Sequence, residues 1–179
     1  MRKLTSKEIA ISGMSAALAL VFVLGARYIS NLTLSCYILA SLSIALPLMK
    51  NLWGSAILSY IASALLSFLL SSFYVMPFIL FFGLFPLLAW GLDFKFYKIE
   101  KLNKWVKISI ITVIKIIYFV AVFFGCFYLM KLTVSDFKFF KEELNIYTLM
   151  LLTYAIYSLY DFLYREAYKL MVRVLSNKI

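Results

Sequence analysis

The sequence predicts an all-α membrane protein, and two observations carry this prediction. Hydrophobic residues make up 65% of the chain and charged residues only 15%, with a mean hydropathy of +0.97. A soluble domain of 179 residues has too much surface for so few charges to cover. The apolar residues fall in long runs between short charged stretches, and the alternating segments of about ten residues that transmembrane barrels need do not occur. The predicted class is therefore a polytopic helical membrane protein.

Six apolar segments are long enough to cross a bilayer, whose core requires roughly 20 residues of helix. They lie at residues 9–26, 34–49, 52–70, 74–92, 108–130 and 146–164 of a single transmembrane domain that covers 1–179. The second segment is short and is expected to stand nearly upright or to be partly shielded by its neighbours. A cleaved signal peptide is the competing interpretation of the first segment. Its apolar run is longer than that of most signal peptides, so we expect a retained helix.

Lysine and arginine residues set the expected orientation of these helices. With the N-terminus inside, thirteen of the eighteen lie on the inner side and four on the outer side, and Lys115 lies within a helix. Cytoplasmic loops carry such an excess of basic residues, so both termini are predicted to lie in the cytoplasm. The net charge of +10 therefore indicates contact with anionic lipid rather than with nucleic acid. Fourteen lysines against four arginines favour an AT-rich bacterial source and hence the bacterial plasma membrane.

Residue types that commonly carry chemistry are scarce in this chain. There is no histidine, and Cys36 and Cys126 lie far apart without the spacing of a metal site. A disulfide between these two cysteines is left open. We expect no catalytic residues, no metal and no cofactor, and we do not expect an enzyme.

Lys115 is the most unusual residue within the predicted spans. It lies about seven residues into the fifth helix, or roughly 10 Å from the cytoplasmic end. A lysine at that depth costs on the order of 3 kcal/mol unless it is paired or reaches the headgroups. Asp161 lies on the same side in the returning sixth helix, so we predict a Lys115–Asp161 ion pair that tethers the two helices. The alternative is that Lys115 snorkels alone to the inner headgroups.

A stripe of tyrosines follows one face of the sixth helix at steps of three and four residues. Tyr164 and Tyr168 are expected at the inner interface and Tyr147 at the outer one, where such rings anchor helices. Tyr154 and Tyr157 lie within the span, where their hydroxyls need partners. These two either bond to neighbouring helices or face a ligand cavity that opens outward.

Small residues are concentrated on two helices. The first contains Gly13-x-x-x-Ala17, and the third carries serines at unbroken steps of four. These serines are Ser55, Ser59, Ser63 and Ser67. Faces of this kind let helix backbones approach closely in lipid. One face is expected to pack inside the bundle, which leaves the other for a partner subunit.

Three further segments have predicted roles. Pro77, Gly83 and Pro86 are expected to bend the fourth helix, and a bent helix leaves room for a cavity. Residues 131–145 mix charges with apolar residues at helical spacing, which predicts a short amphipathic helix on the outer interface, between helices five and six. Residues 93–107 predict a basic segment that lies against the membrane.

The architecture resembles the substrate-binding S components of energy-coupling-factor (ECF) vitamin transporters. The shared features are the length, six helices with both termini inside, and a small-residue first helix. The segment ALPLMKNLWGSAILSYIASALLSFLL at 45–70, with its basic turn, is also similar to them. The resemblance implies a subunit without chemistry of its own that captures a vitamin-sized small molecule. It places the substrate in the outer half, which by location points to Tyr147, Tyr154, Tyr157 and residues 131–145.

The resemblance also implies protein partners. It assigns Gly13, Ala16 and Ala17 to contact with a transmembrane coupling subunit, which works with ATPases. The alternative function is structural: a membrane protein that scaffolds the cell-envelope machinery, as small rod-shape-determining proteins do. Recovery with a coupling subunit or with cell-wall proteins would separate these two interpretations.

Overall fold

The computed structural model of the chain describes residues 5–96, 103–129, 138–139, 142–143 and 146–176. Its helices are α1 (Ser6–Tyr28), α2 (Thr33–Met49), α3 (Trp53–Ser71), α4 (Phe85–Ala89), α5 (Lys104–Leu129) and α6 (Ile146–Ser176). Wider π-helical turns at Phe78–Gly83 and Trp90–Phe96 flank α4, and 3₁₀ turns lie at Ser30–Leu32 and Ser72–Val75. The chain divides into two compact units, Met1–Ile108 and Ser109–Ile179.

Four of the described helices are long and apolar enough to cross a membrane. They are Ser6–Tyr28, Trp53–Val75, Lys104–Leu129 and Ile146–Arg173, while two further apolar helices, Thr33–Met49 and Phe78–Asp93, are shorter. These six stretches coincide with the six predicted segments, so the all-α class and the membrane-embedded character of the chain are confirmed. The last helix continues to Ser176, past the predicted end at residue 164. Six crossings and the cytoplasmic position of both termini stay predictions.

Serine and alanine side chains form much of the core among α1, α2 and α3 in the first unit. Ser59 Oγ donates to the carbonyl oxygen of Ser12 at 3.1 Å, and Ser15 Oγ donates to that of Ser43 at 2.6 Å. These bonds satisfy the hydroxyls where water is excluded, and the small side chains let the backbones approach. The buried small residues on the two facing helices include Ser12, Ser15, Ala16 and Ala19 of α1 and Ser55, Ser59, Ser63 and Ser67 of α3. The serine face of α3 is therefore internal.

The fourth helical segment is irregular, as its proline and glycine residues predict. Pro86 lies at the start of α4, where its missing N–H leaves no helical bond unmade. Gly83 ends the first π-helical turn and lies close to the ring of Tyr60 on α3. Tyr60 Oη donates to the carbonyl oxygen of Ile79 at 3.0 Å. This close contact and hydrogen bond hold the fourth segment against α3.

Aromatic contacts and an ion pair join α5 and α6 in the second unit. The ring of Phe119 lies 5.3 Å from that of Tyr154 and 5.2 Å from that of Tyr157, measured between centroids. Edge-to-face and offset contacts of this kind are favourable beyond the area they bury. The ion pair joins Lys115 to Asp161 and lies on the same side of α6 as Tyr157.

Residues 131–145 differ from the amphipathic helix expected there, as far as they are described. Lys138–Phe139 and Glu142–Glu143 form two short antiparallel strands, β1 and β2, with Lys138 opposite Glu143. Alternation of polar and aromatic residues at 136–139 fits a strand as well as a helix, and a short stretch cannot separate the two. The helix prediction is therefore wrong at these four positions. The other residues of 131–145 lie outside the described part of the chain.

Candidate functional site

A cavity of about 430 Å³ lies at one end of the helices in the first unit. The last residues of α1, the first of α2, the end of α3 and the turn that follows α3 surround it. Its lining residues are Val23, Ala26, Arg27, Thr33, Tyr37, Ser71, Tyr74 and Val75. The volume is in the range of small-molecule sites, which are mostly apolar with a few placed polar groups. This lining has that character, since aliphatic side chains alternate with hydroxyl groups and one guanidinium.

Hydrogen bonds to backbone carbonyls fix three of the polar side chains at the cavity. Arg27 Nη1 donates to the carbonyl oxygen of Leu70 at 2.7 Å, which satisfies an acceptor near the C-terminal end of α3. Thr33 Oγ1 donates to the carbonyl oxygen of Ala26 at 3.1 Å. Tyr37 Oη donates to that of Tyr74 at 3.1 Å, and its ring stacks on Phe82. The cavity wall is thus held by side chains that tie α1, α2 and α3 together.

Ser71 differs from the other polar residues of the lining. It is only 2% exposed, and its hydroxyl has no hydrogen-bond partner among the described residues. A buried hydroxyl without a partner is costly, so such groups are rare and call for an explanation. The next residue, Ser72, has a φ of 51° and a ψ of −137°, a region that residues with a Cβ seldom occupy. Strain and an unsatisfied group therefore occur side by side at the cavity.

Replacing Ser71 with alanine is expected to raise the free energy of unfolding by about 1 kcal/mol, because a buried unsatisfied hydroxyl is removed. Ser67 provides a matched control. It lies one helical turn earlier and is fully buried. Its hydroxyl also has no partner in the described part of the chain, and it does not line the cavity. Ser67→Ala should raise the free energy of unfolding by a similar amount. Denaturant titration in detergent measures both, and a loss of stability in Ser71→Ala would show that its hydroxyl is satisfied in the folded protein.

Arg27 carries the only charge among the described residues that line the cavity. Between Glu8 and Asp93 the sequence contains no acidic residue, so no carboxylate of α1 after its first turn, α2 or α3 can neutralise this guanidinium. Among the described residues, Arg27 makes no ion pair; its bond is to a backbone carbonyl. The cavity is therefore electropositive on one side.

A second polar cluster lies in the second unit. Lys115 Nζ lies 2.8 Å from Asp161 Oδ1, and the two side chains are 7% and 9% exposed. Arg165, one turn further along α6, contacts the other carboxylate oxygen. Tyr157 Oη donates to the carbonyl oxygen of Lys115 at 3.5 Å. Two cations thus share one buried carboxylate, an arrangement that compensates charge in a membrane-spanning helix. The snorkelling alternative for Lys115 does not apply.

The tyrosines predicted as substrate contacts fall into different environments. Tyr157 is 4% exposed and packs on Phe119, while Tyr154 is 38% exposed and Tyr147 is 76% exposed. Tyr164 and Tyr168 are buried, with their rings stacked on each other, and their level at the inner interface stays a prediction. The stripe is therefore largely the packing face of α6. Its steps of three and four residues are what such a face requires.

The three residues assigned to partner contact do not share one environment. Gly13 and Ala17 are exposed on α1, and a Cβ built at Gly13 would meet nothing within 4 Å. Ala16 is buried against the core of the first unit. One helical step of 100° separates neighbouring residues, which explains why Ala16 turns inward. The outward face of α1 thus keeps Gly13 and Ala17 and excludes Ala16.

The cavity residues were not singled out from the sequence. In the predicted orientation Arg27 is one of the four basic residues on the outer side, and no sequence pattern gives Ser71 or Tyr74 a role. One signal was available: Arg27 is a rare arginine in a lysine-rich chain, and it lies in a stretch without acidic residues. In the described part of the chain no three or more Cys, Asp and Glu side chains come together as metal ligands would, and Cys36 and Cys126 are free thiols.

Comparison with protein-family models, with curated proteins and with solved structures finds no match to this chain. The helices define a membrane-embedded protein of the all-α class, and the cavity in its first unit has the composition of a binding pocket.

Proposed function

We propose that this protein is the substrate-capturing subunit of an ECF-type transporter in the bacterial plasma membrane, and that it has no chemistry of its own. The cavity of about 430 Å³ carries the proposal, because it is large enough for a vitamin-sized molecule and combines apolar walls with fixed polar groups. The substrate site we propose is this cavity, in place of the face with Tyr147, Tyr154 and Tyr157.

The predicted orientation supports this assignment. The cavity lies at the C-terminal ends of α1 and α3 and at the N-terminal end of α2. With the N-terminus in the cytoplasm, that end of the three helices faces outward, where a capture subunit meets its substrate. The basic turn with Lys50 then lies at the opposite, cytoplasmic end of α2.

Partner proteins follow from the same proposal. We propose that a transmembrane coupling subunit docks on the exposed face of α1 at Gly13 and Ala17, and that ATPases bind the coupling subunit. Small residues allow a partner helix to approach the backbone closely, and packing of this kind drives helix association in lipid. Met14, which is 70% exposed, lies beside them and offers a flexible apolar contact.

Filling the cavity tests the proposed function. The structure offers two neighbouring positions on α2, because Thr33 lines the cavity and Leu34 is exposed outside it. Native mass spectrometry of the gently extracted wild-type protein is expected to show a bound mass of vitamin size. The Leu34→Phe variant should keep this mass, and Thr33→Phe should lose it while the protein stays folded.

Two results would contradict the proposal. One is a wild-type protein without any bound small molecule, and the other is equal retention by both phenylalanine variants. Co-purification adds an independent criterion. Recovery with a coupling subunit and ATPases is expected, whereas recovery with cell-wall machinery alone would favour the scaffolding alternative.

A further inference from the structure

We propose that the molecule held in the cavity is an anion, and that Arg27 and Ser71 bind its carboxylate or phosphate group. This inference rests on the proposed function, since it names the class of substrate for the same cavity. It goes beyond that function because the capture role alone does not specify the charge of the substrate.

The free donors of Arg27 are the first argument. A guanidinium has five N–H donors, and the hydrogen bond to the Leu70 carbonyl uses one of them. That bond also fixes the direction of the side chain, so the remaining donors are presented in a defined place. Arginine in a fixed orientation binds planar carboxylates and phosphates through two parallel hydrogen bonds.

The missing counter-charge is the second argument. The stretch from residue 9 to residue 92 supplies no carboxylate, and Arg27 makes no ion pair among the described residues. Arg27 is exposed, so solvent can hydrate its charge when no anion is bound. An anion that enters the cavity would complete its charge pairing in a partly apolar setting, where such pairs are stronger than in water.

The unpartnered hydroxyl of Ser71 is the third and independent argument. Ser71 lines the cavity next to Leu70, whose carbonyl holds Arg27, so the hydroxyl and the guanidinium belong to one stretch of wall. A serine hydroxyl can donate to an anion oxygen, which would remove the cost of burying it without a partner. No described residue satisfies this group, and a ligand oxygen that reached it would do so.

Phosphate and carboxylate groups reach a membrane protein from two sources, a dissolved molecule or a lipid headgroup. The chemistry at Arg27 and Ser71 is the same for both. The experiment therefore uses nanodiscs of pure phosphatidylcholine, which lack anionic lipid, and a second set that contains phosphatidylglycerol. The dissolved probes are phenyl phosphate, inorganic phosphate and, as the uncharged counterpart, phenol.

Calorimetric titration in the phosphatidylcholine nanodiscs should show that phenyl phosphate binds at least about tenfold more tightly than phenol. Arg27→Gln keeps a donor for the Leu70 carbonyl but removes the charge. It should weaken the binding of phenyl phosphate about tenfold to a hundredfold. Arg27→Lys keeps the charge without the paired donors, so its affinity for phenyl phosphate should lie between those of the wild type and Arg27→Gln. Lys50→Gln removes the same charge from an exposed turn at the other end of α2, and it should leave the affinity unchanged.

Serine variants give a second, independent arm. Ser71→Ala should weaken the binding of phenyl phosphate severalfold, because one hydrogen bond to the ligand is lost. Ser67→Ala, whose hydroxyl is equally buried but away from the cavity, should leave the affinity unchanged. Loss of stability cannot explain such a result, since both alanine variants are expected to be more stable than the wild type.

The outcomes separate this inference from the function on which it rests. Equal binding of phenol and phenyl phosphate, no binding of either phosphate probe, or an Arg27→Gln variant no weaker than Lys50→Gln would overturn the anion assignment. A neutral co-purified molecule that Thr33→Phe excludes would also overturn it and would leave the capture function standing. Competition by phosphatidylglycerol, with no dissolved molecule co-purified, would support the anion site and remove the capture function.

Discussion

Replacing Asp161 with asparagine is expected to lower the free energy of unfolding by about 3–5 kcal/mol, the usual cost of breaking a buried ion pair by removing one partner. The reason lies in what remains behind. Lys115, with 7% of its side chain exposed, loses the carboxylate 2.8 Å from its Nζ and keeps a buried positive charge. Arg165 loses the same carboxylate. The measurement is unfolding of the detergent-solubilised protein by denaturant, followed by circular dichroism.

Variants of the same helices provide the controls for this prediction. Lys115→Met should cost less, about 1–2 kcal/mol, because Asp161 keeps its contact with Arg165. The double variant Lys115→Met/Asp161→Leu should recover most of the loss, since an apolar pair replaces the buried charges. Glu166→Gln also removes a paired carboxylate from α6, but its pair with Lys169 is exposed on both sides, so no measurable change is expected. Equal losses for Asp161→Asn and Glu166→Gln would contradict the buried pair.

The Lys115–Asp161 contact was predictable because it depends only on depth. A lysine in a span must find a carboxylate or reach the headgroups, and the chain contains few acidic residues within its helices. The return of α6 beside α5 brings Asp161 to the right level. The serine face of α3 was predictable in the same way, since serines at steps of four can share only one face of a helix.

The cavity was not predictable, because it depends on where helices end rather than on a repeat within them. Arg27 lines it because α1 ends next to the end of α3, and that geometry depends on packing of all three helices. The tyrosine stripe was misleading for a related reason. A polar periodicity marks a face, but only the packed structure shows whether rings such as Tyr164 and Tyr168 are buried or meet solvent.

The Gly83→Ala variant is expected to lose about 1–3 kcal/mol of stability, because the site has no room for a methyl group. A Cβ at this position would lie 2.8 Å from Tyr60 Cε2 and 3.0 Å from the carbonyl oxygen of Phe78. The tyrosine ring cannot simply turn away, since its hydroxyl is bonded to the Ile79 carbonyl. The backbone oxygen cannot move without distorting the π-helical turn. Unfolding in detergent, as above, measures the loss.

A matched pair of substitutions makes this prediction specific to the contact between α3 and the fourth segment. Gly13→Ala adds the same methyl group to α1, where nothing lies within 4 Å, and it should stabilise the helix by up to about 1 kcal/mol. The two glycines should therefore respond with opposite signs. Tyr60→Phe frees the ring from the Ile79 carbonyl, so adding Gly83→Ala to it should cost less than Gly83→Ala alone. Strict additivity would mean that Tyr60 is not what fills the space at Gly83, and the tight packing of the fourth segment against α3 would then have another cause.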